Sequence, residues 1–586
     1  MAKILPGRAF NLLLLAAVFC LVIFCPYMYD AYQLPKALGV FTAGIITLVL
    51  LFLARGETRF SFPSIFAAAF YLYSSARLLF SWNHPSFYYG LLFFSPLLFF
   101  TAFYSNLSAG KISLFLNIVI LPALLYGIYQ YSFLGITRPY SSFGNPIFFA
   151  EFIAAVVPVM LFSLYYPGPL RLIASVNLSL SVPALIMCSS RGVLISLLIS
   201  LAAFAWYFFS SGFKIRLNKK RAAFICAAFI LICFIPGFSG AIKNAASRGA
   251  NGFSSGSPEV KNRLLTALAS IDIFKASPLF GAGAGAFRRF NPQKQANFIN
   301  NNHNFTYVTS SYSHNDYLQL LCETGISGFL LFMAFVFSTA ISFGRLSSKT
   351  VPAEDYIFGA ALFSAFIFLI CESFFNFPLF SFPSSAIYFI AAGLTASLGA
   401  GYSGGSSFTI PGYIKRAAAL ILAVPAVIYM CFIKPGAASS DFYLEKAMEK
   451  GASGFSDFSR SIELEPDNYY ALEYYANYLS SAGFTAASIE TYKRALAYFP
   501  YSPDILYNIA SISLYEKNYA AAAQYFESAL SCCPDLAAAH LGLFRSYSAM
   551  GREKEAQAQL ERAVTIDPGV VNSGSTAIFN AQGPVK

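Results

Sequence analysis

Charge is scarce in this chain. Asp, Glu, Lys and Arg together make up 11% of its 586 residues, against roughly a quarter in a typical globular protein, and this excludes an ordinary soluble domain. Tryptophan occurs twice and histidine four times, which argues against a haem-handling membrane protein built on tryptophan-rich segments and paired histidines. None of the ten cysteines has CxxC or CxxCH spacing, so zinc, thioredoxin-like and c-type haem sites lack support. Cys532 and Cys533 are adjacent, and a disulfide between neighbours is strained. The cysteines read as small core residues. The net charge of +12 is dispersed in short basic tufts between apolar runs, a membrane-protein pattern rather than a nucleic-acid groove.

Hydrophobic residues are abundant, at 57%, with 63 Phe and 37 Tyr. A helix crosses a bilayer with roughly 20 apolar residues, because lipid offers its backbone no partners. Such runs are expected near 10–29, 37–54, 62–80, 86–104, 112–134, 147–166, 169–188, 190–210, 222–240, 316–345, 356–375, 380–399 and 413–433. If Lys3 and Arg8 are cytoplasmic, the even-numbered gaps carry the basic residues: Arg55 and Arg59, Lys111, Arg171, the tuft from Lys214 to Arg221, Arg345 and Lys349, then Lys415 and Arg416. The first run is long and lacks a small-residue cleavage site, so it reads as a span and not a signal peptide. The long gap at 241–313 and everything after the last span then lie on the outer face.

Pro466, Pro500, Pro534 and Pro568 are spaced by 34 residues, the tetratricopeptide period, in which proline stops the second helix of each pair. Ala495, Ala529 and Ala563 share one packing slot; Tyr492, Phe526 and Leu560 share a larger one. Gly483 and Gly551 match at the inter-helix turn, and a degenerate leading repeat spans about 440–465 with Phe458 in the large slot. Such an array presents a concave surface, for a glycan or peptide, or serves as a spacer or dimerisation module. The organisation expected is all-α: a transmembrane bundle over 1–435, repeats over 436–570 and a disordered tail over 571–586.

Among the histidines, His84 and His303 read as loop residues and His540 lies in a repeat helix. His314 ends the long outer loop directly before an apolar helix, in SYSHNDYLQLL, where a neutral imidazole can take a proton from a hydroxyl. Ser313, Asn315 and Asp316 flank it, to orient the ring or cap the helix. Arg138, Arg191 and Arg263 fall on the same side, and a guanidinium fork suits phosphate oxygens; an interfacial arginine snorkelling to headgroups is the alternative. Arg263 begins an amphipathic helix that leads to PLFGAGAGAF. That glycine-rich turn follows a helix and not a strand, so tight packing fits better than a dinucleotide or P-loop fold. With no ATP outside the cell, energy must arrive in the substrate, which leaves polyprenyl-diphosphate donors or transport. Glu151, Glu323 and Glu372 are the scattered ionisable residues a transporter would use.

Four segments resemble the O-antigen ligase/polymerase family, in that family's order. They are SSFGNPIFFAEFIAAVVPVM (141–160), SSRGVLISLLIS (189–200), NRLLTALASIDIFKASPLFGAGAGAF (262–287) and SHNDYLQLLCETGISGFLLF (313–332). The resemblance implies a bundle of about 12–13 spans, GT-C-like, in the bacterial inner membrane, with the long loop and the repeats periplasmic. It also implies a metal-independent, cofactor-free, inverting transfer of a glycan from undecaprenyl diphosphate to an acceptor hydroxyl, as in lipopolysaccharide biosynthesis. His314 would be the base and Arg191 and Arg263 the diphosphate ligands, with Arg138 a looser match. Asn315, Asp316 and Glu323 would support them. The acceptor would be lipid A-core, a growing glycan or a protein hydroxyl, and the repeats offer a surface for a protein partner. Simpler family members end in the cytoplasm; the thirteenth span here exports the repeats.

Overall fold

The computed structural model describes residues 5–28, 30–54, 57–81, 87–211, 240, 257–301, 305–346, 350–402 and 407–571. His84, His303, Lys3, Arg55, Lys349, the tuft at 214–221, the tail from 572 and all but Gly240 of the span expected at 222–240 lie outside the described residues.

The chain is an all-α, multi-pass membrane bundle followed by a helical-repeat solenoid. The bundle comprises α1 (Leu5–Cys20), α2 (Leu34–Leu53), α3 (Phe62–Leu79), α4 (Phe87–Leu92), α5 (Leu97–Phe103), α6 (Ala109–Ser132), α7 (Pro146–Ser163), α8 (Pro169–Cys188) and α9 (Arg191–Ser210). After the long loop it continues with α12 (Asp316–Gly344), α13 (Ala353–Glu372), α14 (Ser384–Tyr402) and α15 (Gly412–Ile428), the last extended by a π-turn over Tyr429–Ile433. The loop itself holds α10 (Pro258–Ala276) and α11 (Ala286–Asn301). Among the described residues, nine helices are long and apolar enough to cross a membrane. Shorter apolar helices are α1 and the α4–α5 run. Proline in the first turn starts α2, α3, α7, α8 and α10, where its missing N–H costs nothing.

The loops after α1, α3, α6 and α13 meet at one end of the bundle, since Phe24, Ser81, Gly144 and Phe377 line a single cavity. At the far end β1 (Thr58–Ser61) and β2 (Ser407–Ile410) pair antiparallel over four residues as a two-stranded sheet. Lys415 Nζ there donates to the Ala54 carbonyl at 2.8 Å. Arg59, Lys111, Arg171, Arg345 and Lys415 belong to that far end. The last described turn of α9 and the start of α10 lie at opposite ends of the bundle. Tyr207 packs on Phe343 and Phe363, whereas Arg263 reaches Asn376.

Two spans differ from expectation. The first helix stops at Cys20, not near 29, because Lys36 is buried and its ammonium takes the carbonyls of Ile23 (2.8 Å), Ser142 (2.6 Å) and Tyr32. Those loop carbonyls are satisfied by the lysine instead of by a continuing helix. The run at 86–104 is two short helices around Pro96, which lacks an N–H to give. Phe94, Leu97, Leu98, Phe99 and Phe100 are fully buried, so the break is sheltered by protein, the condition under which irregular backbone survives at membrane depth.

The solenoid pairs α16 (Ala437–Lys450) with α17 (Phe455–Leu464), α18 (Tyr469–Ser481) with α19 (Thr485–Tyr498), α20 (Pro503–Tyr515) with α21 (Tyr519–Cys532), and α22 (Ala537–Ala549) with α23 (Glu553–Ile566). Each periodic proline stands just past the second helix of its pair. Ala495, Ala529 and Ala563 are fully buried, and Phe458, Tyr492 and Phe526 nearly so. Gly483 and Gly551 hold positive φ, and the matching slot in the middle repeat is Lys517, also at positive φ (64°).

The array folds back onto the loop end. Lys434 donates to Glu465 (2.7 Å) and Asp467 (2.8 Å), Tyr307 N–H donates to Asp535 at 2.7 Å, and Phe290 packs on Tyr501. The repeats and the long loop therefore share one side of the bundle.

Candidate functional site

α10 is the arm that holds the histidine. Ser257 caps it by accepting from Val260 N–H at 3.4 Å. One turn past Arg263, Thr266 Oγ1 donates to the Ser313 carbonyl (3.2 Å), and Ser270 Oγ donates to Ser313 Oγ (2.9 Å). Ser313 N–H donates to Gln319 Oε1 at 3.0 Å. The residue before His314 is thus held from two helices, and His314 itself takes φ +54°, a left-handed conformation rare outside glycine and common at functional sites.

Its neighbours have structural duties. Asn315 caps α12 by accepting from Leu318 N–H (3.0 Å) and donates to the Phe374 carbonyl (3.3 Å). Asp316 accepts from Ser373 Oγ (2.7 Å) and Leu379 N–H (3.0 Å), fastening α12 to the segment after α13. The half-buried His314 ring packs edge-on against Phe377, with centroids 5.2 Å apart. Its Nδ1 is buried without a hydrogen-bond partner among the described residues. Burial, then the positive charge of Arg263, lower its pKa to about 4. The imidazole is therefore neutral at physiological pH.

Arg263 is exposed and extends Nη2 to within 3.5 Å of Asn376 Oδ1. Asn376 in turn donates to Glu372, which also accepts from Ser196 Oγ at 2.8 Å. Arg191 opens α9 beside this group. A Cβ on the next residue, Gly192, would come within 2.8 Å of Phe375 and 3.3 Å of Glu372, so glycine lets the arginine turn approach the end of α13. Arg191 and Arg263 are close enough to repel one another electrostatically. Arg138 stands differently: its Nε donates to the Cys188 carbonyl at 3.0 Å, bracing the α8–α9 turn that carries Arg191.

The glycine-rich turn clips onto a break in α12. Gly325 (φ 67°, ψ −174°) interrupts that helix. Ala282 N–H donates to the Cys322 carbonyl (2.8 Å), Gly283 N–H to that of Glu323 (3.1 Å), and Ile326 N–H to that of Pro278 (2.9 Å). Glu323 is buried and accepts from Tyr89 (2.7 Å) and Gly285 N–H (3.1 Å). The clip aims α11 so that Arg288 and Arg289 line a cavity of about 1450 Å³, with His314 on its wall. Arg191 and Arg263 are not among its lining residues, so His314 stands between the arginine pair and the cavity.

Three of the four residues singled out for chemistry, His314, Arg191 and Arg263, thus come together from separate elements. Arg288, Arg289 and Asn376 were missed, and Glu372 was singled out only as an ionisable residue suited to a transporter. FRRF is an unremarkable doublet without the turn that aims it, and Glu372 is legible only as an ionisable residue near a span end. His540 is satisfied by Gln559 (2.7 Å) and the Pro534 carbonyl (3.1 Å). Among the described residues no cluster of three His, Cys, Asp or Glu side chains is arranged to hold a metal ion.

Residues 176–333 match the family model described as O-antigen ligase, and residues 513–571 match that described as tetratricopeptide repeat. The first match contains Arg191, Arg263, His314 and Glu323; Arg138 precedes it. No curated protein matches the chain. Solved structures titled "MamA MSR-1 C2" (19% identical, covering 22% of this chain and 77% of that chain, TM-score 0.21) and "Crystal structure of MamA" (15%, 27%, 91%, TM-score 0.22) are similar to part of it.

Proposed function

We propose that this chain, which carries an O-antigen ligase domain and terminal tetratricopeptide repeats, transfers a glycan from an undecaprenyl-diphosphate-linked donor to an acceptor hydroxyl at the outer face of the bacterial inner membrane. The observation that carries the reading is the meeting of His314, Arg263 and Arg191, from three elements, beside a large cavity at the end of the bundle opposite the basic loops.

The His314 imidazole takes the proton of the acceptor hydroxyl as its oxygen attacks the anomeric carbon. The new C–O bond forms as the bond to the diphosphate breaks, and attack opposite the leaving group inverts the anomeric centre. Arg263 and Arg191 hold the departing diphosphate, whose charge their guanidinium forks match. Arg138 is a positioning residue for the Arg191 turn; Asn315, Asp316 and Glu323 fix the backbone around the base. The activated donor supplies the energy, so no cofactor is required. A lipid-linked glycan or lipid A-core is the favoured acceptor and a protein hydroxyl the alternative.

The test is transfer in detergent from an undecaprenyl-diphosphate oligosaccharide to lipid A-core, to excess donor or to a Ser/Thr-rich protein, offered separately. His314→Ala is expected to lower the rate at least about 100-fold, and Arg263→Ala comparably. Donor movement across vesicles that survives His314→Ala, with no transfer to any acceptor, would replace the transferase by a transporter.

A further inference from the structure

The cavity beside His314 has two unlike walls. Arg288, Arg289 and His314 come from the loop; Glu445, Glu449, Tyr470 and Tyr474 come from the first two repeats. The repeat wall is held in place. Arg288 lies over the rings of Tyr469, Tyr470 and Phe499, at 5.7, 4.9 and 5.0 Å, while Asp441 accepts from Asp30 N–H at 3.2 Å. Lys434 fixes the base of the array to the last span. The volume exceeds the roughly 300–1,000 Å³ of a small-molecule pocket.

The charges sort what fits where. A diphosphate is repelled by the carboxylates of the repeats and drawn to the arginines. A chain of uncharged hydroxyls suits the opposite wall, because carboxylates accept hydrogen bonds from hydroxyls and tyrosine rings cover the apolar faces of sugar rings. A peptide finds less there. Among the described residues the strands lie at the far end of the bundle and no sheet edge borders the cavity, and carboxylates of the repeats interrupt the apolar surface of the wall.

We infer that the first two tetratricopeptide repeats form the saccharide-binding wall of this site, gripping an uncharged oligosaccharide several sugars long between Tyr470, Tyr474 and Glu449 and the loop helix α11. This rests on the transferase reading for the position of the diphosphate, and it gives the repeats a substrate role in place of recruiting a separate protein.

The probe is the oligosaccharide released by mild acid from the host's polyprenyl-diphosphate pool, labelled at its reducing end. Its binding to the full chain in lipid nanodiscs is measured by equilibrium dialysis. Tyr470→Ala and, separately, the double variant Tyr474→Ala/Glu449→Gln are expected to weaken binding about tenfold each, while Tyr515→Ala, at an exposed position of the third repeat that does not line the cavity, binds as the unmodified chain does. If both variants unfold at the unmodified midpoint and bind the probe unchanged, the wall is not there. Binding of a basic Ser/Thr-rich peptide in place of the oligosaccharide, lost in the same variants, would overturn it in favour of a peptide groove. Transfer assayed on the same preparations separates the two readings. Probe binding that needs Tyr470, without transfer, upholds the wall and removes the transferase; transfer with binding indifferent to both variants does the reverse.

Discussion

His314 combines three properties in one residue: a left-handed backbone, a half-buried ring and an Nδ1 with no partner among the described residues. Ser189, two residues before Arg191, also holds positive φ (52°). Non-glycine residues in this conformation cost on the order of 1–3 kcal/mol and persist where their surroundings impose them; here Thr266, Ser270 and Gln319 do so through Ser313. Burial and Arg263 hold the imidazole pKa at about 4, below the usual 6.5. Between these values the unfolded chain binds more protons than the folded one, so this group's stabilisation is complete above about 6.5 and is lost as pH falls toward 4. It amounts to about 3 kcal/mol at most. The acid limb of kcat/KM, which reports the free enzyme, is expected near pH 4. A limb at 6.5 that moves in His314 variants would show the ring to be solvated and the geometry of the base misassigned.

At the scale of elements, the clip between the glycine-rich turn and the break in α12 joins two of the sequence motifs into one object. Gly281 holds φ +72°, and a Cβ there would sit 2.4 Å from the backbone of Glu323. No side chain moves to relieve such a clash. Gly281→Ala is expected to destabilise the bundle by about 3 kcal/mol or more and to misdirect Arg288, read as a lower thermal midpoint together with lost transfer. The repeats supply the opposite sign. Lys517 occupies the slot that Gly483 and Gly551 fill elsewhere, at positive φ. Lys517→Gly should stabilise the array by about 1 kcal/mol, measured by denaturant midpoint; a loss would mean that the lysine side chain is needed.

At the scale of the whole molecule, the end of the last bundle helix fixes how the repeats are carried. Lys434 is nearly inaccessible, and Glu465 is 95% covered, so their pairing fixes the angle at which the array leaves the membrane. Replacing one partner strands buried charge, at a cost of roughly 3–5 kcal/mol. Lys434→Met is therefore expected to release residues 437–571 from the loop face. Limited proteolysis would cut the array faster, while the membrane bundle and the Arg191–Arg263–His314 group keep their hydrogen-exchange protection. An array as protected as before would mean that the contacts through Arg288 and Asp535 suffice alone.

Much was legible from local chemistry. Spans follow from hydropathy, the repeats from a period of 34, and the motif order from residues whose roles are partly backbone roles: Gly281 and Gly325 stand where two segments pass too close for a Cβ, and Gly192 where side chains of the α13 end do so. Each of those signals is short-range, so a linear reading carries it. The break at Pro96 and the early end of α1 were not legible, because burial on all sides and a lysine donating across 106 residues to Ser142 decide them. The same holds for the site. Sequence alone led to the expectation that His314, Arg191 and Arg263 fall on one side, since crossing parity is read from apolar runs and basic gaps. Only the tertiary structure decided that they meet, that Arg288 and Arg289 join them and that the repeats wall the cavity. Those outcomes depend on packing between helices and loops far apart in the chain, and such contacts leave no periodic trace in it.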